Sequence, residues 1–205
     1  MHCVSEQAMF LGEPPASEAR DAAFNEDLDA DGYVNNHTRL WCWRPDLRLA
    51  FMELRTSLMG SSALTDRDWA VLVTATASEC NDSYCSLAWG ARLAGLTDDE
   101  TAARLIAGYP APGLSDRESV LASWAREVVR DPNTTTEGQI EHLREAGLSD
   151  REIFEATAFV AFRLAFSTIN DALGAAPDQQ LAEAAPRPVR AAVSYGRSPL
   201  RAPSL

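Results

Sequence analysis

Lysine is absent from this sequence, and all eighteen of its basic residues are arginine. That excludes a Schiff-base lysine, a P-loop lysine and a Ser-Lys dyad, each of which needs a primary amine. Positive charge is scarce altogether: thirty acids face those eighteen bases, for a net charge of -12. Such a field repels phosphate, so neither nucleic acid nor an anionic membrane is an expected partner. Cysteine is sparse too, with Cys3, Cys42, Cys80 and Cys85 scattered along 205 residues, and the three histidines, His2, His37 and His142, have no ligand-like spacing. A disulfide scaffold and a structural zinc site are both disfavoured, and no metal or cofactor is expected. No run of residues approaches the ~20 apolar positions of a membrane span. Residues 1–15 lack the basic start and apolar centre of a signal peptide, so free thiols in a cytoplasmic protein are the expectation. The glycine patterns of dinucleotide sites, P-loops and nucleophile elbows are missing as well.

What remains is a chain that is 46% hydrophobic, enough for one domain with a real core. Its patterning is helical. Pro45 suits a first helical position, and Leu47, Phe51, Leu54 and Leu58 then share a face up to Gly60. Three segments repeat the form Leu-Ser/Thr-Asp-Arg-acid, at 64–68, 114–118 and 148–152, and 96–100 is a near copy. Each reads as a capping box, in which the hydroxyl caps free N–H groups and the acid three residues later reaches back. Helix starts are therefore expected near Thr65, Thr97, Ser115 and Ser149, with another helix from about Thr136 to Ala146. Ala-Gly precedes two of the boxes, at Gly95 and Gly147, where a left-handed C-cap is expected. The unit suggests an internally repeated α-hairpin.

From Ser149 to about Leu173 the pattern is apolar on most of its circumference. Phe159, Phe162, Phe166, Ile169 and Leu173 form a stripe that reads as core. So much apolar surface on one helix points to a homo-oligomer. Residues 1–32 read as a polar arm and 33–175 as the helical domain. Residues 176–205, rich in Pro and Arg, read as a weakly ordered arm or one that lies on an acidic neighbouring subunit.

One segment can carry chemistry: Glu79-Cys80-Asn81-Asp82-Ser83-Tyr84-Cys85-Ser86-Leu87-Ala88-Trp89. Asn81, Asp82 or Ser83 can cap a new helix, placing Cys85 in its first turn, where free N–H groups favour thiolate. The Asp82 carboxylate opposes that shift, and the sign is open at this level. A buried, inert Cys85 is the plainer alternative. Tyr84 can orient a substrate or simply pack, and Arg163 is expected to pair with one of the nearby acids.

A Tyr-Cys pair opening a helix, before Ala-Gly-Leu-Thr-Asp-Asp-Glu at 94–100, resembles the carboxymuconolactone decarboxylase and alkylhydroperoxidase D-like superfamily. The run from Asp131 through 142–152 to 166–174 is similar to the second half of its peroxidase-related members, and the likeness covers about 33–175. The resemblance implies an all-α domain, a homo-oligomer, no bound metal, and a small-molecule substrate. It implies that Cys85 is the reactive thiol of a cofactorless hydroperoxide-reducing enzyme. The family's first cysteine falls on Asp82, its histidine on Trp89, and its glutamate near Asp68. Cys80 is then the local candidate for a resolving thiol, and Asp68, Glu79 or Asp82 the candidate base. A decarboxylase-like lyase acting on a small carboxylated substrate, and a non-catalytic oligomeric binding protein, are the rival readings.

Overall fold

The computed structural model of the protein describes residues 8–200, so Cys3 and His2 lie outside the described residues. Helices account for the architecture: α1 (Glu18–Asp31), α2 (Asn36–Trp41), α3 (Pro45–Gly60), α4 (Asp66–Glu79), α5 (Ser83–Leu96), α6 (Asp99–Ile106), α7 (Asp116–Arg130), α8 (Glu137–Glu145), α9 (Asp150–Ala172), α10 (Gln179–Ala184) and α11 (Arg187–Ala192). A 3₁₀ turn spans Pro132–Thr134. No strand occurs among the described residues beyond one isolated bridge between Asp178 and Leu200. The fold is all-α.

α4 is the axis. It is buried continuously from Asp68 to Ser78 and packs against α5, α7 and α9. Trp69 meets Phe159 of α9 with ring centroids 4.6 Å apart, and Leu72, Leu93, Leu121 and Leu143 fill the space around them.

Local chemistry sets where these helices begin. Thr65, Ser115, Thr136 and Ser149 each close a reciprocal capping box with the residue three positions on. The arginine and acid within the Leu-Ser/Thr-Asp-Arg-acid boxes also tie different boxes together. Arg67 bonds Glu118 at 2.6 Å, and Arg117 reaches both Glu152 at 2.8 Å and Asp68 at 3.6 Å. The starts of α4, α7 and α9 are thereby gathered at one end of the bundle, with carboxylates facing three positive dipole ends. The α6 cap departs from the reading by one residue: Asp98 accepts from Thr101 N, while the Thr97 hydroxyl donates back to Leu93 O. Of the two Ala-Gly sites, Gly147 takes the left-handed conformation at φ 88°, whereas Gly95 stays inside the last turn of α5.

The two ends pack on the helical body. Residues 8–10 bond to 173–176 through Ala176 N to Ala8 O and Phe10 N to Leu173 O. Beyond 176, α11 lies on α5 and α6, with Val189 fully buried, and Tyr195 donates to the Ser86 hydroxyl. In place of the weakly ordered arm expected from the prolines, the chain docks on itself. Gly196, at φ 69°, allows it: a Cβ there would stand 2.7 Å from Asn81 O and from Ser83 Oγ.

α3 is the exception to the packing. It buries none of its residues, and Leu47, Leu49 and Leu54 are exposed. On α9, only Phe159 of the expected stripe is fully buried, and Phe154 is 72% exposed. No helix of the described residues is long and apolar enough to cross a membrane.

Candidate active site around Cys85

The break between α4 and α5 is made by Asn81, the one described non-glycine residue with positive φ, at 59°. Asp82 then caps α5: its Oδ1 accepts from Cys85 N at 2.9 Å, and its Oδ2 accepts from the Ser167 hydroxyl of α9 at 2.6 Å. The cap puts Cys85 in the first turn, as the spacing predicts. It also occupies the amide that would otherwise support a thiolate.

Cys85, Tyr84, Ala88 and Trp89 of α5 wall a cavity of about 110 Å³. α2 contributes His37, α3 contributes Phe51, Met52 and Arg55, and α9 contributes Arg163 and Phe166. The spacing of Tyr84 and Cys85 with Ala88 and Trp89 is one helical turn, so all four share a face. Phe166, read from its stripe as core, is a cavity wall instead, with Trp41 stacked on it at 5.2 Å. The same helical period serves a core or a pocket, so spacing alone does not separate them.

Two charged groups bracket the sulfur. Arg163 is 4% exposed and its Nη2 donates to Cys85 Sγ at 2.8 Å. Contrary to the expectation from sequence, its partner is this sulfur and not an acid. On the other side stands Asp82, fully buried, which favours the protonated thiol. Burial is the largest influence, followed by Asp82, and both push the Cys85 thiol well up, while Arg163 pulls it down. The resting form at neutral pH is the thiol.

A second chain of groups begins at His37. Its Nδ1 lies 3.0 Å from the Tyr84 hydroxyl, and that hydroxyl donates a short hydrogen bond to Asp178. Asp178, fully buried, also accepts from Asn36 N at 3.0 Å. Since the tyrosine proton goes to the carboxylate, the histidine donates from Nδ1 and keeps a lone pair on Nε2. Burial, then Arg48 and Arg163, push the imidazole down to about 4, so it is neutral at physiological pH.

The other residues singled out in the sequence lie elsewhere. Asp68 is consumed by the α4 capping box, at the opposite end of α4 from the cysteine. Glu79 takes Arg126 at 2.9 Å and Arg130 at 2.6 Å. Neither lines the cavity. Cys80 ends α4 outside the cavity lining, and burial followed by Asp82, Asp171 and Glu79 pushes its thiol up to about 12. Conversely, sequence reasoning passed over His37, Arg55 and Asp178, which join Cys85 through long-range packing. The one available signal was Arg163, a lone charge in an apolar stretch of α9.

No protein-family profile matches the sequence, and no curated protein matches it either. Solved structures do. An uncharacterized peroxidase-related protein from Ralstonia eutropha JMP134, described as an alkylhydroperoxidase AhpD core, is 24% identical, with a TM-score of 0.73 over 86% of this chain and 96% of its own. Another from Silicibacter sp. TM1040 is 21% identical, with a TM-score of 0.76 over 87% and 97%. The debrominase Bmp8, as a cysteine-to-alanine variant in complex with 2,3,4-tribromopyrrole, is 14% identical, with a TM-score of 0.68 over 85% and 95%. At these identities the likeness is one of fold, and the chain has the alkylhydroperoxidase AhpD-like fold.

Proposed function

We propose that the chain is a cofactorless thiol enzyme that reduces small hydroperoxides through Cys85. One observation carries this reading: Cys85 Sγ faces a small cavity between the guanidinium of Arg163 and the carboxylate of Asp82. A cation within hydrogen-bond reach stabilises sulfur as it becomes anionic, and a buried carboxylate can take its proton. The structural neighbours named for peroxidase-related proteins, and a debrominase whose variant replaces a cysteine, agree with thiol chemistry in this fold.

In the proposed step, Sγ attacks the distal oxygen of the hydroperoxide. The S–O bond forms as the O–O bond breaks, and the thiol proton, passed through Asp82, ends on the departing alkoxide. Thiol and hydroperoxide thus give sulfenic acid and alcohol, with sulfur oxidised and peroxide reduced by two electrons. Two equivalents of an external thiol return the enzyme, releasing water and a disulfide. Cys80 is a poor internal substitute, because its raised pKa leaves little thiolate to attack. Trp89 has no basic nitrogen to take up a proton, since its indole N–H only donates. The imidazole in the cavity wall is His37 of α2, oriented by Tyr84 and Asp178.

The test is peroxide consumption with dithiothreitol as reductant, for wild type beside Cys85→Ser, with dimedone trapping of sulfenic acid. Turnover and a dimedone adduct on Cys85, both lost in the variant, are expected. Equal peroxide consumption by the two proteins overturns the reading, and so does turnover of a non-peroxide substrate that survives Cys85→Ser.

A further inference from the structure

The protein carries a large acidic surplus and spends its arginines accordingly. Of the fourteen arginines from Arg20 to Arg163, twelve form an ion pair with a carboxylate. The remaining two, Arg55 and Arg163, line the same cavity. Arg163 is accounted for by the sulfur it contacts, but its Nε is buried with no hydrogen-bond partner. Arg55 has no such account. Its Nε is also buried without a partner, and burial, then Arg163 and Arg92, weaken its hold on its proton. Two guanidiniums that line one cavity, with donors shut off from water, are costly to fold unless something completes them.

We infer that the cavity is built for a compact organic anion, a carboxylate held by Arg55 and Arg163 with its reactive end toward Cys85. This deepens the reading above, from which it takes only that Cys85 is the reacting group. Every other feature of the cavity fits. His37 is neutral and adds no negative charge. Phe51, Trp89 and Phe166 offer apolar walls for the carbon part. The nearest acid, Asp82, approaches the sulfur from outside the lining and does not compete for Arg55. The volume of about 110 Å³ is smaller than the roughly 150 Å³ that accommodates benzene, which limits the occupant to a few non-hydrogen atoms. Because Arg55 lines the cavity and pairs with no carboxylate among the described residues, the cavity is where a counter-charge for its guanidinium can enter.

Iodoacetate and iodoacetamide are matched probes of the right size, one anionic and one neutral. Each alkylates by the same step: sulfur displaces iodide, the S–C bond forms as C–I breaks, and the thiol proton leaves to solvent. Rates at Cys85 are read by mass spectrometry on its peptide, for wild type, Arg55→Gln and Arg55→Lys. The expected result is that iodoacetate saturates and reacts faster than iodoacetamide in wild type. Arg55→Gln should lower that preference about tenfold or more, as for loss of a charge-assisted hydrogen bond, and Arg55→Lys should restore part of it. The iodoacetamide rate should change little. A ratio of the two rates that is the same in wild type and Arg55→Gln overturns the inference. If Cys85 reacts with neither reagent, the thiol-enzyme reading fails by itself, and calorimetry with propanoate and propanamide decides the anion site. Binding of propanoate alone, lost in Arg55→Gln, sustains it. No propanoate binding to wild type overturns it.

Discussion

The two ends of α4 obey different rules. At its start, Thr65, Asp68, Arg67, Arg117, Glu118 and Glu152 interlock, and each capping box closes in both directions. At its far end, beside α5, the polar groups are left incomplete: Arg55 Nε, Arg163 Nε, Asn170 Nδ2 and Asn36 Oδ1 are buried without partners. The first end is optimised for stability. Two of these groups, on Arg55 and Arg163, belong to residues that line the cavity, which is where a fold trades stability for function.

The largest test of that contrast concerns what α3 and α9 leave exposed. We propose that the protein is a homo-oligomer whose interface covers Leu47, Leu49 and Leu54 of α3 together with Phe154 of α9, since these large apolar side chains stay exposed while Phe51, Leu58 and Met59 of α3 pack only partly buried on the body. Light scattering at micromolar concentration is expected to give at least twice the 22.3 kDa of one chain. A monomer under those conditions removes the proposal.

Next in size is the cost of the cap at each end. Ser149→Ala removes an exposed box and should cost about 1 kcal/mol. Asp82→Ala removes an N-cap that is fully buried and also strands the Ser167 hydroxyl, so about 2–4 kcal/mol is expected by urea denaturation. The same change should let Cys85 alkylate at lower pH, because the carboxylate that holds it protonated is gone. Equal costs for the two variants would mean that Asp82 is an ordinary cap.

These two ends also differ in how far they could be read from sequence. The capping boxes are local, since hydroxyl and acid lie three residues apart, and so the starts of α4, α7 and α9 were legible near Thr65, Ser115 and Ser149. Where two caps compete in adjacent positions, as at Thr97 and Asp98, the reading slipped by one. The position of Cys85 in a first turn was local too. The cavity was not: His37, Arg55 and Arg163 come from three helices, and nothing in their spacing announces that they meet. The sign of the shift at Cys85 was equally hidden, because it depends on burial that only packing decides. The docking of the C-terminal segment on its own chain was hidden for the opposite reason. Its prolines forbid a long helix but not two short ones, and Ala182, Ala185 and Val189 bury well enough to dock them.

A smaller effect separates stability from function at Arg55. Replacing a half-buried guanidinium whose charged neighbours are Arg163 and Arg92 relieves repulsion and desolvation, so Arg55→Met should raise stability by about 1 kcal/mol, seen as a higher Tm. A loss of comparable size would show that Arg55 holds the fold together and undo its assignment to the ligand.

The last expected effect is a partial opposition in the pH dependence of stability. His37 is pushed from 6.5 down to about 4, first by burial and then by Arg48 and Arg163. Its folded pKa is below its unfolded one, so its contribution is fully present above 6.5 and is lost as pH falls toward 4. Asp178 and Asp171 do the reverse. Burial first raises them from 3.8 to about 6 and about 7, with Asp82 adding to Asp171. Their folded forms hold protons longer, so their contribution is complete below 3.8 and is lost as pH climbs through those values. Between about 4 and 6.5 the histidine makes the protein more stable with rising pH and the aspartates make it less so. Two raised carboxyl groups outweigh one lowered imidazole, so wild type should lose about 1–3 kcal/mol of stability as pH rises across that window. His37→Gln removes the one rising component, so the decline from pH 4 to 7 should become steeper than in wild type. Urea midpoints at half-unit pH intervals measure it. A variant profile that parallels wild type would mean that His37 titrates in the folded protein as it does unfolded, and that the imidazole is not held neutral beside the thiol.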